Sequence, residues 1–285
     1  MKLTIVTPSF NQGEFIKDTI DSVLNQEIDV EYIIMDGGST DNTLSVLKSY
    51  GNKIVWESKK DKGQTDAVNQ GIRKATGDII GWLNSDDIYY PNAFKTILKI
   101  FEDNPQINVV YGNANHIDIN GNFIEEYYTE DFDFERLKDI CFICQPSLFF
   151  RKNIVDRYGY LDDDLQFCMD YDFWIRLGKN EKFYRANSLI AGSRLYEDNK
   201  TLGSRLKVHE EIARMFKKNL GKVPARWIYN LAHVICDEKG LDRESCEFKR
   251  ELVRESKKAF IKYNKYIPLK EWKILLSWSR QSKEK

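Results

Sequence analysis

Apolar residues in the first hundred positions fall into short runs separated by polar, glycine-containing links, and the runs alternate between two periods. Leu3-Thr-Ile-Val-Thr7 reads as a short buried strand, and Ile16, Ile20, Val23 and Leu24 follow at the spacing of one helical face. The alternation continues with Glu31-Tyr-Ile-Ile-Met35 as strand, Thr43 to Tyr50 as helix, Lys53-Ile-Val-Trp56 as strand and Thr65 to Ala75 as helix. Asp78-Ile-Ile-Gly-Trp-Leu83 is the next strand; Phe94, Ile97, Leu98 and Phe101 mark another helix, and Val109-Val-Tyr111 another strand. This alternation with short links predicts an α/β fold, a mostly parallel twisted sheet covered by helices on both faces.

From about Asn113 the pattern changes. Gly121-Asn122 reads as a hairpin turn between Ala114-Asn-His-Ile117 and Phe123-Ile-Glu-Glu-Tyr127. Ser147-Leu-Phe-Phe150 is strand-like, and Asp172 to Lys179 is helix-like. Beyond Gly203 the chain reads as almost wholly helical, with Val208, Ile212, Met215 and Phe216 on one face. The predicted division is a sheet domain over residues 1–203 and a helical region over 204–285.

Composition narrows the function. Of 285 residues, 42% are hydrophobic and 31% charged, the balance of a water-soluble globular chain. Lys+Arg 43 against Asp+Glu 44 leaves a net charge of −1, so no global field draws the chain to nucleic acid, and none is expected as a partner. The opening residues run straight into a strand, with no basic leader before a long apolar stretch, and no apolar run is long enough to span a bilayer. A cytoplasmic location is expected. Five scattered cysteines include the C-x-x-C of Cys141 and Cys144, but no second pair or histidine cluster accompanies it to make a zinc site. His116, His209 and His233 share no motif.

The chemistry is concentrated after the strands. Ligands of open parallel sheets bind outside the carboxyl ends of the strands. Those ends carry Thr7-Pro-Ser-Phe-Asn11, Asp36-Gly-Gly-Ser-Thr-Asp41, Asp61-Lys-Gly-Gln64 and Asn84-Ser-Asp-Asp87. Any one cluster alone is an ordinary turn or helix cap; four on one rim favour a nucleotide site. Asp86 and Asp87 would repel a diphosphate unless a hard divalent cation, Mn²⁺ or Mg²⁺, bridged them. Such a site is a Lewis acid for a departing nucleoside diphosphate. A base that takes a hydroxyl proton on the opposite face must come from the second half of the chain, where Asp170, Asp172 and the run Asp162-Asp-Asp164 all qualify.

These four clusters, together with Asp170-Tyr-Asp-Phe-Trp-Ile-Arg-Leu177, resemble glycosyltransferase family 2, a group of inverting enzymes with the GT-A fold. Within it the chain is most similar to bacterial enzymes that build O-antigen, capsule and other surface polysaccharides, and the resemblance covers residues 1 to about 200. It implies a Rossmann-like sheet flanked by helices with a C-terminal helical appendage, 1–112 forming the nucleotide-sugar half and 113–203 the acceptor half. It implies a metal-dependent transferase of the hexosyl type, moving a sugar from a nucleotide-diphosphate donor, UDP-sugar foremost, to a hydroxyl of a glycan or lipid-linked saccharide. Pro8, Ser9 and Asp36 would line the nucleoside pocket, with Asp61 near the base or ribose and Asn84, Ser85 and Asp86 along the nucleotide. Asp87, with Asp86, would hold the metal; Asp170 would be the general base; Gln145 and Asp172 would face the acceptor.

The chain departs from the family pattern at three places. Gly37 stands where many members have a second acid, Asn84 where many have the first aspartate of the metal motif, and Arg194-Leu-Tyr196 where relatives often carry a histidine. The basic, aromatic stretch Lys270 to Arg280 has three readings: packing on the catalytic domain, pairing with a second copy, or peripheral contact with the inner face of the plasma membrane. The first is favoured because the stripe is short and the net charge near zero. Two rival functions are a sugar-phosphate nucleotidyltransferase, which needs a basic, glycine-rich loop that Thr7 to Gly13 lacks, and a non-catalytic nucleotide- or glycan-binding module, which has no use for a base at Asp170.

Overall fold

Strand β1 (Leu3–Ser9) is buried along its whole length, and helix α1 (Ile16–Leu24) turns Ile16, Thr19, Ile20 and Val23 inward against it, as the spacing required. The same unit repeats in β2 (Val30–Asp36), α2 (Thr43–Ser49), β3 (Val55–Ser58), α3 (Gln64–Lys74) and β4 (Ile79–Trp82). Then come β5 (Ile88–Tyr89), α4 (Ala93–Asp103), β6 (Val109–Ile117), β7 (Phe123–Glu126), α5 (Phe134–Asp139), β8 (Leu148–Arg151), α6 (Ile154–Tyr158), α7 (Met169–Gly178) and β9 (Tyr184–Arg194). Four helices follow: α8 (Arg205–Leu220), α9 (Ala225–Glu238), α10 (Cys246–Asn264) and α11 (Leu269–Gln281). This computed structural model describes residues 1–196 and 202–281.

The nine strands make one sheet in the order β3-β2-β1-β4-β8-β6-β9-β5, with β7 paired to β6. β1 pairs in parallel with both β2 and β4, and β2 with β3; β8 runs antiparallel between β4 and β6. Ile5, Ile34, Ile79, Phe94, Ile97, Val110 and Phe149 join one core cluster with further buried apolar residues of α1 and α4, while α3 lays Gly71 against Val6.

Two elements differ from the sequence expectation. The strand expected over Lys53–Trp56 begins later, because Gly51 takes φ +55° and a short 3₁₀ turn occupies Gly51–Lys53. The shift puts Ser58 opposite Asp36 in register. β9 was not foreseen. Tyr184-Arg-Ala-Asn-Ser-Leu-Ile-Ala-Gly-Ser-Arg194 has little of the branched apolar content of a strand, yet it pairs in parallel with β6, whose Gly112 lets Ile190 approach closely.

The chain splits into two compact units, Met1–Tyr196 and Glu197–Lys285. In the second, Ala232, Cys236, Phe248 and Leu252 form the centre of a helical core, with Trp278 of α11 packed against it. Ser245 caps α10 through its hydroxyl, which accepts from Phe248 N at 3.0 Å, and Gly221 ends α8 in the left-handed region.

Candidate active site

Strand register brings the first three loops together. Ser9 ends β1 beside Asp36 at the end of β2, and Asp36 lies beside Ser58 at the end of β3. The loops are also laced to one another. Asn11 N donates to Ser39 Oγ (2.7 Å), Gln12 N to Thr43 Oγ1 (3.0 Å), Gly13 N to Asp41 Oδ2 (2.9 Å) and Thr40 N to Asn11 Oδ1 (2.8 Å). Asn11 takes φ +52°, a conformation that Asn tolerates better than most residues.

Asp36 is 2% exposed, and both its oxygens are engaged. Oδ2 accepts from Gly38 N (3.1 Å), Ser39 N (2.9 Å) and Ser58 Oγ (2.6 Å), and Oδ1 from Ser39 Oγ (2.5 Å). Asp36 therefore ties the turn after β2 to the end of β3. The hydroxyl of Ser9, by contrast, is buried with no partner among the described residues, and Pro8 and Ser85 are buried beside their strands. At Gly37 a Cβ would lie 3.0 Å from Oδ2 of Asp61, so the Asp61 carboxylate fills the space that a side chain at 37 would need. Asp61 accepts from Gly63 N at 2.8 Å, and burial, with Asp66 and Asp36 adding, holds its pKa above the ordinary value.

Asn84 is the knot of the loop after β4. Its Oδ1 accepts from Gln64 Nε2 (2.9 Å) and Trp82 Nε1 (3.0 Å), while its Nδ2 donates to Gln145 Oε1 (3.0 Å) and Asp87 Oδ2 (3.3 Å). Because an indole N–H can only donate, the amide orientation is fixed. Gln145 also donates through Nε2 to Trp82 O at 2.6 Å. The sequence put Gln145 against the acceptor; in the structure its amide braces the β4 end and Asn84.

Asp87 is 3% exposed and accepts through Oδ1 from Arg194 N at 2.9 Å, and its own carbonyl accepts from Thr19 Oγ1 at 2.8 Å. Asp86 is more open, and its Oδ2 accepts from Tyr196 OH at 2.9 Å. Burial raises the pKa of both, and at Asp87 the charge of Asp86 raises it further. The fully buried Arg194 holds the loop from behind, Nε to Asp86 O at 2.8 Å and Nη1 to the carbonyls of Asp118 (3.2 Å) and Ile119 (2.5 Å).

Helix α7 starts at Met169, earlier than expected, so Asp170 lies in its first turn, where the helix dipole favours a carboxylate. The Cys144 thiol is buried, and its pKa is raised well above the ordinary value first by burial and then by the charges of Asp87, Cys141 and Asp170. Asp172, expected on the acceptor side, is instead buried. Its Oδ2 accepts from Arg176 Nε at 2.8 Å, and Arg176 Nη2 donates to Tyr160 O at 2.8 Å, so the pair fastens α7 to the preceding loop. The run at Asp162 is a turn, with Asp164 N donating to Asp162 Oδ1 at 3.3 Å.

Sequence reasoning gave no role at this loop to Arg194, Thr19, Trp82 or Cys144; the pairing of β9 with β6 brings Arg194 there, and the Thr19 hydroxyl reaches it from α1. Tyr196, which stands where relatives often carry a histidine, is here a donor to Asp86.

The sequence model of the family described as Glycosyl transferase family 2 matches residues 4–159. An uncharacterized glycosyltransferase of Rickettsia prowazekii is 29% identical over 237 residues, 77% of this chain and 73% of the relative. The chondroitin synthase of Escherichia coli is 29% identical over 204 residues, and the hyaluronan synthase of Pasteurella multocida 31% over 217. The aligned part spans 70% and 73% of this chain but only 30% and 22% of those larger proteins. Among solved structures, S. aureus TarS 1–349 in complex with UDP-GlcNAc superposes with a TM-score of 0.66 at 15% identity, covering 99% of this chain and 88% of that one. The mannosyltransferase PcManGT from Pyrobaculum calidifontis, in complex with GDP-Man and Mn²⁺, gives 0.61 at 14% identity, covering 100% and 81%. The mixed, mostly parallel sheet with its flanking helices is thus a GT-A fold.

Proposed function

The chain belongs to glycosyltransferase family 2, and on that premise we propose that it moves a sugar from a UDP-sugar to a hydroxyl of a surface-polysaccharide acceptor, inverting the anomeric carbon. The observation that carries this reading is the gathering of Ser9, Asp36, Asn84 and Asp87 at the carboxyl ends of β1, β2 and β4, with Asn84 tying Gln64, Gln145 and Asp87 together. The polysaccharide synthases among the relatives and the UDP-GlcNAc complex of TarS support the choice of donor and acceptor class.

The donor set fits a hard divalent cation. Asp86 and Asp87 are adjacent carboxylates whose ionised forms burial disfavours, and one or two carboxylates suffice for Mg²⁺ or Mn²⁺ when phosphate and water oxygens complete the shell. When bound, the cation supplies Lewis acidity to the leaving diphosphate. Asp87, held by Arg194 N, and the more open Asp86 would hold the cation. The unpartnered Ser9 hydroxyl binds the nucleoside, and Asp61, in the space beside Gly37, offers a carboxylate to a base N–H in place of an acid at position 37. Asp170 removes the acceptor proton as the new bond forms, on the face away from the diphosphate.

Asp170→Asn tests the assignment. Calorimetry with Mn²⁺ and UDP-GlcNAc should give donor affinity unchanged, while transfer falls by about 10²–10⁴-fold. Turnover near that of the parent would remove Asp170 from the role.

A further inference from the structure

We propose that the α10–α11 hairpin docks on an anionic lipid surface. The proposal stands on the helical unit alone and is independent of the site assignments above.

Charge along this hairpin is sorted by exposure. Between residues 252 and 281 the acids Glu255 and Glu271 are each 8% exposed, whereas Arg254, Lys258, Lys262, Lys265, Lys270, Lys273 and Arg280 are all exposed. Arg254 and Lys258 pair with Glu255, but Lys262, Lys265, Lys270, Lys273 and Arg280 have no acidic partner among the described residues. Unpaired cations of one sign set up a local potential that the near-zero net charge of the chain conceals.

Large apolar side chains lie among these cations. Leu269 is 74% exposed, Ile261 56% and Leu276 48%, with Tyr266 and Trp272 also exposed. On α11, Leu269, Trp272 and Leu276 recur at i, i+3 and i+7, one helical face. The opposite face is already satisfied: Glu271 accepts from Tyr229 OH at 2.6 Å, Leu275 is buried, and Trp278 meets the Tyr229 ring edge-on at 5.0 Å. Lys257 of α10 lies over the Trp272 ring at 4.9 Å, so the stripes of the two helices adjoin.

Aliphatic and aromatic side chains interleaved with lysine are what a membrane interface takes: the apolar groups enter the acyl boundary while the ammonium groups stay with lipid phosphates. A second copy is a poorer occupant, because a two-fold contact would set this basic face against itself. Nucleic acid would use the lysines and leave Leu269 and Leu276 without a role. No helix of the described residues is long and apolar enough to cross a membrane, so the contact is with the surface.

The test is co-sedimentation of the full chain with vesicles of phosphatidylcholine alone and of phosphatidylcholine mixed with phosphatidylglycerol. Binding is expected on the mixed vesicles only, weakening with added salt. Lys270→Gln and Lys273→Gln should each reduce partitioning about fivefold. Leu269→Gln with Leu276→Gln should reduce it at every salt concentration, with circular dichroism unchanged because both positions are exposed. Equal partitioning on the two vesicle types, or variants that bind like the parent, would overturn the proposal. So would a solution dimer that Leu269→Gln converts to monomers, which would make a second copy the occupant.

Discussion

At Asn84 an amide does what a carboxylate cannot, because it accepts from Gln64 and Trp82 while donating to Gln145 and Asp87. Asn84→Asp keeps the size but turns two donors into acceptors facing Gln145 Oε1 and Asp87 Oδ2. Leaving those groups unpaired should cost about 1–3 kcal/mol, read as a thermal midpoint lower by roughly 2–10 °C, and transfer should fall with it. A midpoint equal to the parent's would show that the knot contributes nothing. The neighbouring acids make a separate prediction. Asp86→Asn and Asp87→Asn should each weaken Mn²⁺-dependent binding of UDP-sugar by about tenfold or more, the scale of one charged contact. Calorimetry with and without Mn²⁺ checks it, and affinity without the metal should not change.

Among the elements, β1 and β2 are clamped at their amino ends by Glu31. Its carboxylate accepts from Thr4 Oγ1 (2.6 Å), Thr76 N (2.7 Å), Thr76 Oγ1 (2.7 Å) and Lys2 Nζ (3.2 Å). Burial alone would raise this carboxyl, but the hydrogen bonds outweigh it and hold the pKa at about 2, against an ordinary 4.5. A depressed pKa means the stabilisation is complete above the unfolded value and is lost as pH falls from 4.5 toward 2. Glu31→Gln should lower the melting midpoint at neutral pH and flatten its pH dependence over that interval, as thermal melts across a pH series would reveal. The clamp escaped the sequence because nothing in Glu31 announces its partners. What the sequence did disclose was local: the 3.6-residue spacing of Ile16, Ile20 and Val23, and the polar clusters that close β1, β2 and β4. What it concealed depends on long-range pairing. β9 reads as polar and small along the chain and becomes a strand only against β6, which is also how Arg194 reaches Asp86 and Asp87. The internal partners of Gln145 and Asp172 were hidden for a related reason: a polar side chain in a cleft and one in an internal brace look alike until the partners are seen.

For the whole molecule, the loops proposed to hold the nucleotide all belong to the unit Met1–Tyr196. Amide hydrogen exchange with UDP and Mn²⁺ should therefore slow at residues 9–13, 36–39, 61–64 and 84–87 and leave α8 to α11 unchanged. Protection confined to the helical unit would contradict the location of the site. The lacing of residues 11–13 to 39–43 carries a further consequence. Those backbone segments are set rigid at folding, so little ordering entropy remains to be lost when the nucleotide arrives. Descendants of this chain would then change donor by exchanging a few inward side chains, position 61 among them, and not by remodelling the loops, whose every shift would unpick several bonds at once.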